Sequence, residues 1–311
     1  MLREAENIVK VEGILAETDL KYGSYTKNGQ NIETIGGTIT VNVDQVIDGV
    51  PHTSQIPVHM FSAKYTKANK INPSYESIER VMKEFKSIAA TGNVDEADKI
   101  RITRGYLRMN EYYNTQTDKF VSFPRVHSNF VNKATGEFNP QANFSMTFAV
   151  SNIQPVVDSQ GVELDPKQLE VTVIVPYYGG KVDIMKLRAK NPNVVNAIEQ
   201  YWSTDDTFKA NGRLEWFSKT EKVLEEVDFG EPIEKLKTTS SSDIVITGGS
   251  QVPLDGDFAF DQDELIAALR ERKARLEEQK NKSKSRTAPA PAPAPAPTNS
   301  SSILAGEDLG F

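Results

Sequence analysis

The 311-residue chain contains no cysteine and only three histidines. Without cysteine it has no disulfide, no thiolate metal site and no cysteine nucleophile. His52, His59 and His127 do not show metal-ligand spacing, and a structural role is expected for His59, so we predict no metal and no other cofactor. An apolar run of about 18 residues, which a membrane-spanning helix needs, is also missing. The charged start Met1–Glu6 has no apolar stretch behind it, so no secretory signal is expected.

Recognisable catalytic motifs are missing as well. The sequence has no Gly-x-x-x-x-Gly-Lys-Ser/Thr phosphate loop, no Gly-x-Ser-x-Gly elbow and no His-Glu-x-x-His zinc motif. No pair of acidic residues has a spacing that indicates general acid–base catalysis. We therefore predict that the protein is not an enzyme. Its net charge of −7 stays negative when the C-terminal tail is set aside, so a nucleic-acid site has to be a local basic groove on an acidic protein.

The first half of the chain shows the alternation of strands, interrupted by one helical period. Ile78, Val81, Met82 and Phe85 recur at helical spacing and predict an amphipathic helix. Strands are predicted at 8–15, 38–43, 55–61, 99–108 and 119–127, with the helix at 75–85 and a polar hairpin loop at 21–34. Three strands, a helix and two strands is the order of an OB-fold, a small five-stranded barrel.

The second half repeats this plan. Strands are predicted at 144–152, 169–175, 181–188, 206–217 and 242–247, and a helix at 194–202. The segments Arg104-Gly-Tyr-Leu and Asn211-Gly-Arg-Leu both follow a helix and place Gly two residues before Leu, although two β domains can share such a pattern by chance. The fold class expected is mainly β: two tandem OB-like barrels, each with one helix, followed by a helical segment and a disordered tail. The predicted divisions are 1–132, 143–252, 253–284 and 285–311.

The end of the chain has a spacer and a tip. Ala and Pro alternate in Thr287–Pro297, and such a run forms an extended spacer instead of a packed core. The last nine residues are acidic and aromatic. Two acids and the terminal carboxylate suit a basic pocket, and two apolar side chains suit burial in it. The predicted partner-binding residues are Glu307, Asp308, Leu309 and Phe311. The plainer alternative is an ordinary disordered C-terminus.

A folded body, a low-complexity linker and an acidic tip ending in Phe resemble the single-stranded DNA-binding proteins of bacteria and their phages. Arg104-Gly-Tyr-Leu-Arg108 is similar to the end of the strand that follows the helix in that family. The resemblance implies a cytoplasmic protein, in a bacterial host if phage-encoded, that coats single-stranded DNA in replication, recombination and repair. It also implies that the tip recruits partner enzymes. The presence of two barrels favours the phage members of the family over the bacterial ones, which have one barrel. Two barrels in one chain can also take the place of the family's usual tetramer.

Single-stranded nucleic acid needs aromatic platforms for bases and cations for phosphates. Arg104, Tyr106 and Arg108 alternate along one strand and share a face that is poor core material. The complete set of predicted DNA-binding residues is Tyr22, Tyr25, Arg101, Arg104, Tyr106, Arg108, Tyr112, Tyr113, Lys119, Phe120, Arg125, Tyr177, Tyr178, Lys186, Arg188, Arg213 and Trp216. Two alternatives stay open. One is a structural or adaptor protein such as a virion component, and the other is a nuclease with carboxylates that hold Mg²⁺.

Overall fold

A computed structural model describes residues 2–47, 49–225 and 233–287, with side chains described outside 218–240 and 285–287. The first barrel is built from β1 (Asn7–Lys27), β2 (Gln30–Ile47), β3 (Val50–Ala63), β4 (Lys99–Asn114) and β5 (Lys119–His127). Its strand order, β1-β2-β3-β5-β4, closes through pairing of β4 with β1, and β3 and β5 are parallel. This is the OB-fold order that the sequence predicts.

Two helices lie between the third and fourth strands of the first barrel, α1 (Pro73–Glu84) and the one-turn α2 (Ile88–Thr91). The side chain of Asn72 caps α1 by accepting a hydrogen bond from the Ser74 amide at 3.0 Å. Pro73 takes the first turn, where its missing N–H costs nothing. The apolar stripe predicted from the sequence packs on the barrel, because Ile78 and Val81 are fully buried.

The second barrel repeats the order of the first. It is built from β7 (Gln141–Pro155), β8 (Leu169–Tyr177), β9 (Lys181–Ala189), β10 (Thr207–Glu225) and β11 (Ile233–Gly249), with α3 (Pro192–Tyr201) after its third strand. The order β7-β8-β9-β11-β10 closes through β10 and β7, and β9 and β11 are parallel. The two-residue strand β6 (Asn132–Lys133) pairs with β4. The predicted tandem of OB-like barrels is thereby confirmed.

The two barrels share backbone hydrogen bonds and a continuous core. Strand β1 pairs antiparallel with β7, from Asn7 opposite Met146 to Glu12 opposite Gln141. The shared Gly of the sequence repeat lies in the fourth strand of each barrel, at Gly105 and Gly212. At Gly212 a Cβ atom would lie 1.9 Å from the carbonyl oxygen of Val245. The close packing of β10 on β11 therefore requires glycine at that position.

The prediction of a loop at 21–34 was wrong. Strands β1 and β2 continue through this segment as a paired ribbon and meet at the two-residue turn Asn28–Gly29. Both turn residues have positive φ, 51° and 76°, as the tight turns that match strand twist require. The segment is polar because the ribbon extends beyond the barrel and most of its side chains are exposed, which gives it the composition of a loop.

The C-terminal helix α4 spans Gln262–Thr287 and follows the second barrel, in the part of the chain where a helical segment is predicted. The Asp261 carboxylate accepts a hydrogen bond from the Glu264 amide at 2.9 Å and caps the helix. The near half of α4 is anchored by Leu265 and Ala268, which are buried in the core together with Phe260. None of the helices in the described ranges combines the length and apolar character that a membrane crossing requires.

The far half of α4 reaches the hairpin between β4 and β5 of the first barrel, and its contacts there are polar. Arg272 forms an ion pair with Glu111, and the Gln279 side chain donates to the Glu111 carbonyl at 3.2 Å. Lys284 lies 2.9 Å from Asp118 at the hairpin turn. The helix therefore bridges the barrels, with an apolar anchor on one and an ionic contact on the other.

Candidate nucleic-acid interface

A row of rings crosses the outside of the first barrel. His59 of β3 lies opposite His127 of β5, which lies opposite Tyr106 of β4. The His127 and Tyr106 rings are stacked, with centroids 5.3 Å apart and planes at 11°, and His59 meets His127 edge-on at 5.2 Å. Tyr106 keeps 43% of its surface exposed. An exposed ring that stacks against a second ring of the protein can serve as a platform for a base.

Further exposed rings extend the row along the barrel. Phe61 lies two residues after His59 on the same face of β3 and is half exposed. A Cβ atom at Gly36 would lie 3.0 Å from the Phe61 ring, so glycine there allows the ring to lie on the β2 backbone. Phe123 of β5 is exposed beyond His127. With the two arginines described next, we call this surface the outer strip, consisting of Phe61, His59, His127, Tyr106, Phe123, Arg104 and Arg125.

Arg104 and Arg125 provide the positive charge of the outer strip. Arg104 is exposed two residues before Tyr106 on β4. Arg125 lies with its guanidinium carbon 5.4 Å from the centre of the Phe123 ring. Within the described ranges, neither arginine forms an ion pair or donates a hydrogen bond to another side chain. Two cations beside exposed rings leave positive charge available for an incoming phosphate.

The two histidines of the strip are neutral at pH 7. Burial, the neighbouring His59 and the guanidinium groups of Arg125 and Arg108 lower the pKa of His127 to about 4. Burial and Arg125 likewise lower the pKa of His59. The imidazoles therefore act as rings in the stack, and the strip's charge comes from its arginines.

Stability is expected to depend on His127 at mildly acidic pH. Its pKa is about 4 in the folded protein and near 6.5 when unfolded. The unfolded chain therefore binds more protons between these values, and the free energy of unfolding falls as the pH drops through that window. Urea unfolding of wild type and His127→Gln at pH 7.5, 6.5, 5.5 and 4.5 measures the effect. The wild type should lose more stability than the variant. Parallel curves for the two proteins would contradict this assignment.

Four predicted residues lie on the hairpin between β4 and β5, where α4 docks. Tyr112 and Phe120 are exposed, and so is Lys119 at the start of β5. Tyr113 is buried and its hydroxyl is hydrogen-bonded to Asp118. Because a buried ring offers no face to a base, Tyr113 is better explained as a support for the hairpin.

Two predicted arginines are committed to carboxylates. Arg101 binds the buried Glu12 with two hydrogen bonds of 2.7 and 2.9 Å, and these bonds lower the pKa of Glu12 despite its burial. Arg108 binds Asp183 of the second barrel at 2.6 Å, and its guanidinium carbon lies 3.2 Å from the centre of the Tyr177 ring. Arg108 and Tyr177 therefore hold the barrels together, and their contact surfaces are occupied.

The two tyrosines of the β1–β2 ribbon point to opposite faces. Tyr22 donates a hydrogen bond to Glu79 of α1 at 2.6 Å and packs near Tyr75. Tyr25 is exposed, and the alternation of side chains puts it on the same face of the sheet as Phe61. Tyr25 is thus placed to extend the outer strip, whereas Tyr22 serves the contact between ribbon and helix.

The predicted residues of the second barrel have different surroundings. Tyr178 is 84% exposed in the turn between β8 and β9, and Trp216 is buried. The three cations each lie close to a carboxylate: Lys186 is 2.8 Å from Glu170, Arg188 is 3.6 Å from Asp243, and Arg213 is 2.7 Å from Glu215. The cations of this face are therefore charge-compensated.

A cleft of about 540 Å³ between the barrels brings predicted residues from both together. Phe120 and Pro124 of β5 line one wall, and Lys186 and Arg188 of β9 line the other. Leu276 of α4 lies over it. Among the described residues, no group of three or more His, Asp or Glu side chains is close enough together to hold a metal ion. The predicted partner-binding tip, Glu307 to Phe311, lies outside the described residues.

Sequence reasoning missed four residues of the outer strip: His59, Phe61, Phe123 and His127. The signal was present in part, because His59 and Phe61 alternate with the apolar Ile56, Val58 and Met60 and so had to face outward. What could not be found without the register is that β3 and β5 place these residues beside Tyr106.

A family model described as YorF matches residues 5–282, which include both barrels and most of α4. The chain belongs to the YorF family. A search of curated proteins finds no match. Among solved structures, the wild-type single-stranded DNA binding protein from Thermus aquaticus is similar with a TM-score of 0.50 and 11% identity, over 82% of this chain and 96% of that chain.

A deletion mutant of the same Thermus aquaticus protein gives a TM-score of 0.47 and 11% identity, over 81% of this chain and 97% of that chain. The likeness to the wild-type structure covers too much of this YorF-family chain to come from one barrel. It therefore supports the tandem OB-like architecture, and at this identity it shows the fold alone.

Proposed function

We propose that this protein is a non-catalytic single-stranded DNA-binding protein that holds the strand on its outer strip. The observation that carries the proposal is the strip itself: exposed rings at Tyr106, Phe61 and Phe123 beside Arg104 and Arg125, which have no carboxylate partner among the described residues. Every base has a face that can stack on an aromatic ring, so this binding does not depend on the DNA sequence. The arginines neutralise the phosphates between the stacked bases. The same surface has little to offer a small-molecule substrate, because it is an open strip on the outside of a barrel.

The geometry of the strip suits an extended strand. From Arg104 to Asn110, which lies opposite Phe123, β4 advances six residues, or roughly 20 Å at about 3.3 Å per residue. Duplex DNA conceals its bases in the stack and presents no free ring faces, so the exposed rings favour single strands. The similarity of fold to a protein named for single-stranded DNA binding supports the proposal by analogy. We extend the proposal to coating and protecting single strands during replication or recombination.

A labelled oligo-dT titrated with the full-length protein tests this function, with fluorescence anisotropy read at 50 and 200 mM salt. We expect saturable binding that weakens with salt, because phosphate contacts release counterions. Unlabelled duplex should compete poorly. Oligo-U serves as a second competitor and reports the preference between DNA and RNA. The absence of binding at 50 mM salt, or equal competition by duplex, would overturn the proposal.

The acidic tip is proposed to recruit partner enzymes and to contribute nothing to the strip. Deleting Glu307–Phe311 should leave the affinity for oligo-dT within about three-fold of the full-length value, because the strip is intact and the missing segment carries no cation. The same deletion should abolish capture of replication or recombination enzymes by the immobilised protein. The matched control is a chain of equal length that keeps the tip but lacks the five linker residues Pro293–Pro297. Loss of oligo-dT binding in the tip deletion would contradict this division of roles.

A further inference from the structure

Each ring position of the outer strip can be matched to a position in the second barrel, because the two barrels have the same strand order. Strands β9, β11 and β10 take the places of β3, β5 and β4. Tyr106 follows Gly105 and pairs with His127, and in the second barrel Arg213 follows Gly212 and pairs with Val245. In the second barrel, the two positions that match the central rings Tyr106 and His127 are therefore occupied by an arginine and a valine.

The positions of β9 that match His59 and Phe61 also carry cations instead of rings. His59 lies opposite His127 across the parallel strands, and Arg188 lies opposite Val245 in the same way. Two residues further along, Phe61 is matched by Lys190. At these matched positions a strand would therefore meet cations and a valine instead of rings, and stacking on rings supplies much of the sequence-tolerant affinity for single strands.

The cations that replace the rings are held by acids of the same face. Glu215, whose side chain is only 2% exposed, lies 2.6 Å from Lys190 and 2.7 Å from Arg213. Asp243 lies 2.8 Å from Lys190. Burial alone would lower the pKa of Lys190, but its hydrogen bonds to Asp243 and Glu215 outweigh burial and raise it. A phosphate would have to displace carboxylates from their cations and leave Glu215 buried without a partner, which is strongly unfavourable.

We infer that the two barrels are not equivalent: the strand is held by the outer strip of the first barrel, and the matching face of the second barrel is closed to nucleic acid by its own ion pairs. This inference rests on the proposed function and assigns the strip's specificity to Phe61, His59, His127 and Tyr106. The second barrel then contributes the shared core and the contacts to Arg108 and α4, while its cations serve folding.

Matched charge removals in the full-length protein test the inference. Arg104→Gln and Arg125→Gln remove cations of the first barrel, and Lys186→Gln and Arg188→Gln remove cations at the second. The measurement is the dissociation constant for oligo-dT at four salt concentrations from 50 to 200 mM. Each first-barrel variant should bind oligo-dT about five- to ten-fold more weakly at 50 mM salt. The slope of the logarithm of the binding constant against the logarithm of the salt concentration should become shallower by about 0.7, the value for one phosphate contact on a single strand. Each second-barrel variant should stay within two-fold with an unchanged slope.

The outcomes separate the inference from the function on which it rests. Equal losses of affinity and slope in the variants of both barrels would overturn the inference and leave single-strand binding standing. Absence of binding by the wild type would overturn both. Thermal melting of each variant guards against misfolding, and Lys186→Gln is the safest second-barrel change because its side chain is 66% exposed.

Discussion

Replacing Tyr106 by alanine is expected to weaken the affinity for oligo-dT by roughly 5- to 150-fold, because stacking on an aromatic side chain contributes about 1–3 kcal/mol per base. The ring is exposed above His127 at the centre of the outer strip. Its removal takes away the platform and also the support that holds the His127 ring parallel to it. Anisotropy with labelled oligo-dT at fixed salt measures the loss.

The control for this variant is Tyr201→Ala. Tyr201 is exposed to a similar degree, 40% against 43%, but lies at the end of α3 in the second barrel. Its removal should change the affinity by less than two-fold. Because Tyr106 lies on the surface, neither variant should lose much stability, and thermal melts check this. Equal affinities for Tyr106→Ala and wild type would remove the ring from the proposed site.

Replacing Asp183 by alanine is expected to lower the free energy of unfolding by about 3–5 kcal/mol, the usual cost of removing one partner of a buried ion pair. The Asp183 side chain is only 3% exposed, and one of its oxygens accepts hydrogen bonds from Arg108 at 2.6 Å and from the Met109 amide at 3.0 Å. The change leaves the Arg108 guanidinium without its carboxylate and the Met109 N–H without its acceptor at the junction of the barrels. Urea unfolding, followed by circular dichroism and by tryptophan fluorescence, measures the loss.

Two further variants serve as controls for Asp183→Ala. Asp19→Ala removes an acid that pairs with Lys21 on the surface, where both side chains are more than two-thirds exposed, and should cost less than about 1 kcal/mol. The double variant Arg108→Met/Asp183→Leu removes both charges and should be less destabilised than Asp183→Ala alone. A loss below about 1 kcal/mol in Asp183→Ala would show that this ion pair does not hold the barrels together.

The order of strands and helices was predictable because each element carries its own period. The alternation in 119–127 and the helical stripe Ile78, Val81 and Met82 are local patterns, and the structure places a strand and a helix there. The ribbon from Lys21 to Thr34 was not recognised, since a solvated strand pair has no apolar face to alternate. The Asn28–Gly29 turn was the signal available for it.

The candidate site was less predictable, because two of the predicted cations are paired with carboxylates that are far away in the sequence. Arg101 and Glu12 are 89 residues apart, and Arg108 and Asp183 are 75 apart. A sequence pattern shows an arginine on the outer face of a strand but not the carboxylate that a distant strand places beside it. Phe61 was not found for a different reason, because its place near Tyr106 depends on the register of β3, β5 and β4.

The central claim is that single-stranded DNA lies on the outer strip of the first barrel. The most direct measurement is photo-crosslinking of the full-length protein to an oligonucleotide with 5-iodo-deoxyuridine at successive positions, with the adducts mapped by mass spectrometry. The account predicts adducts on Phe61, Tyr106 and Phe123, with few or none between β7 and β11. Adducts concentrated on Tyr178 or on the β9 face of the second barrel would contradict it.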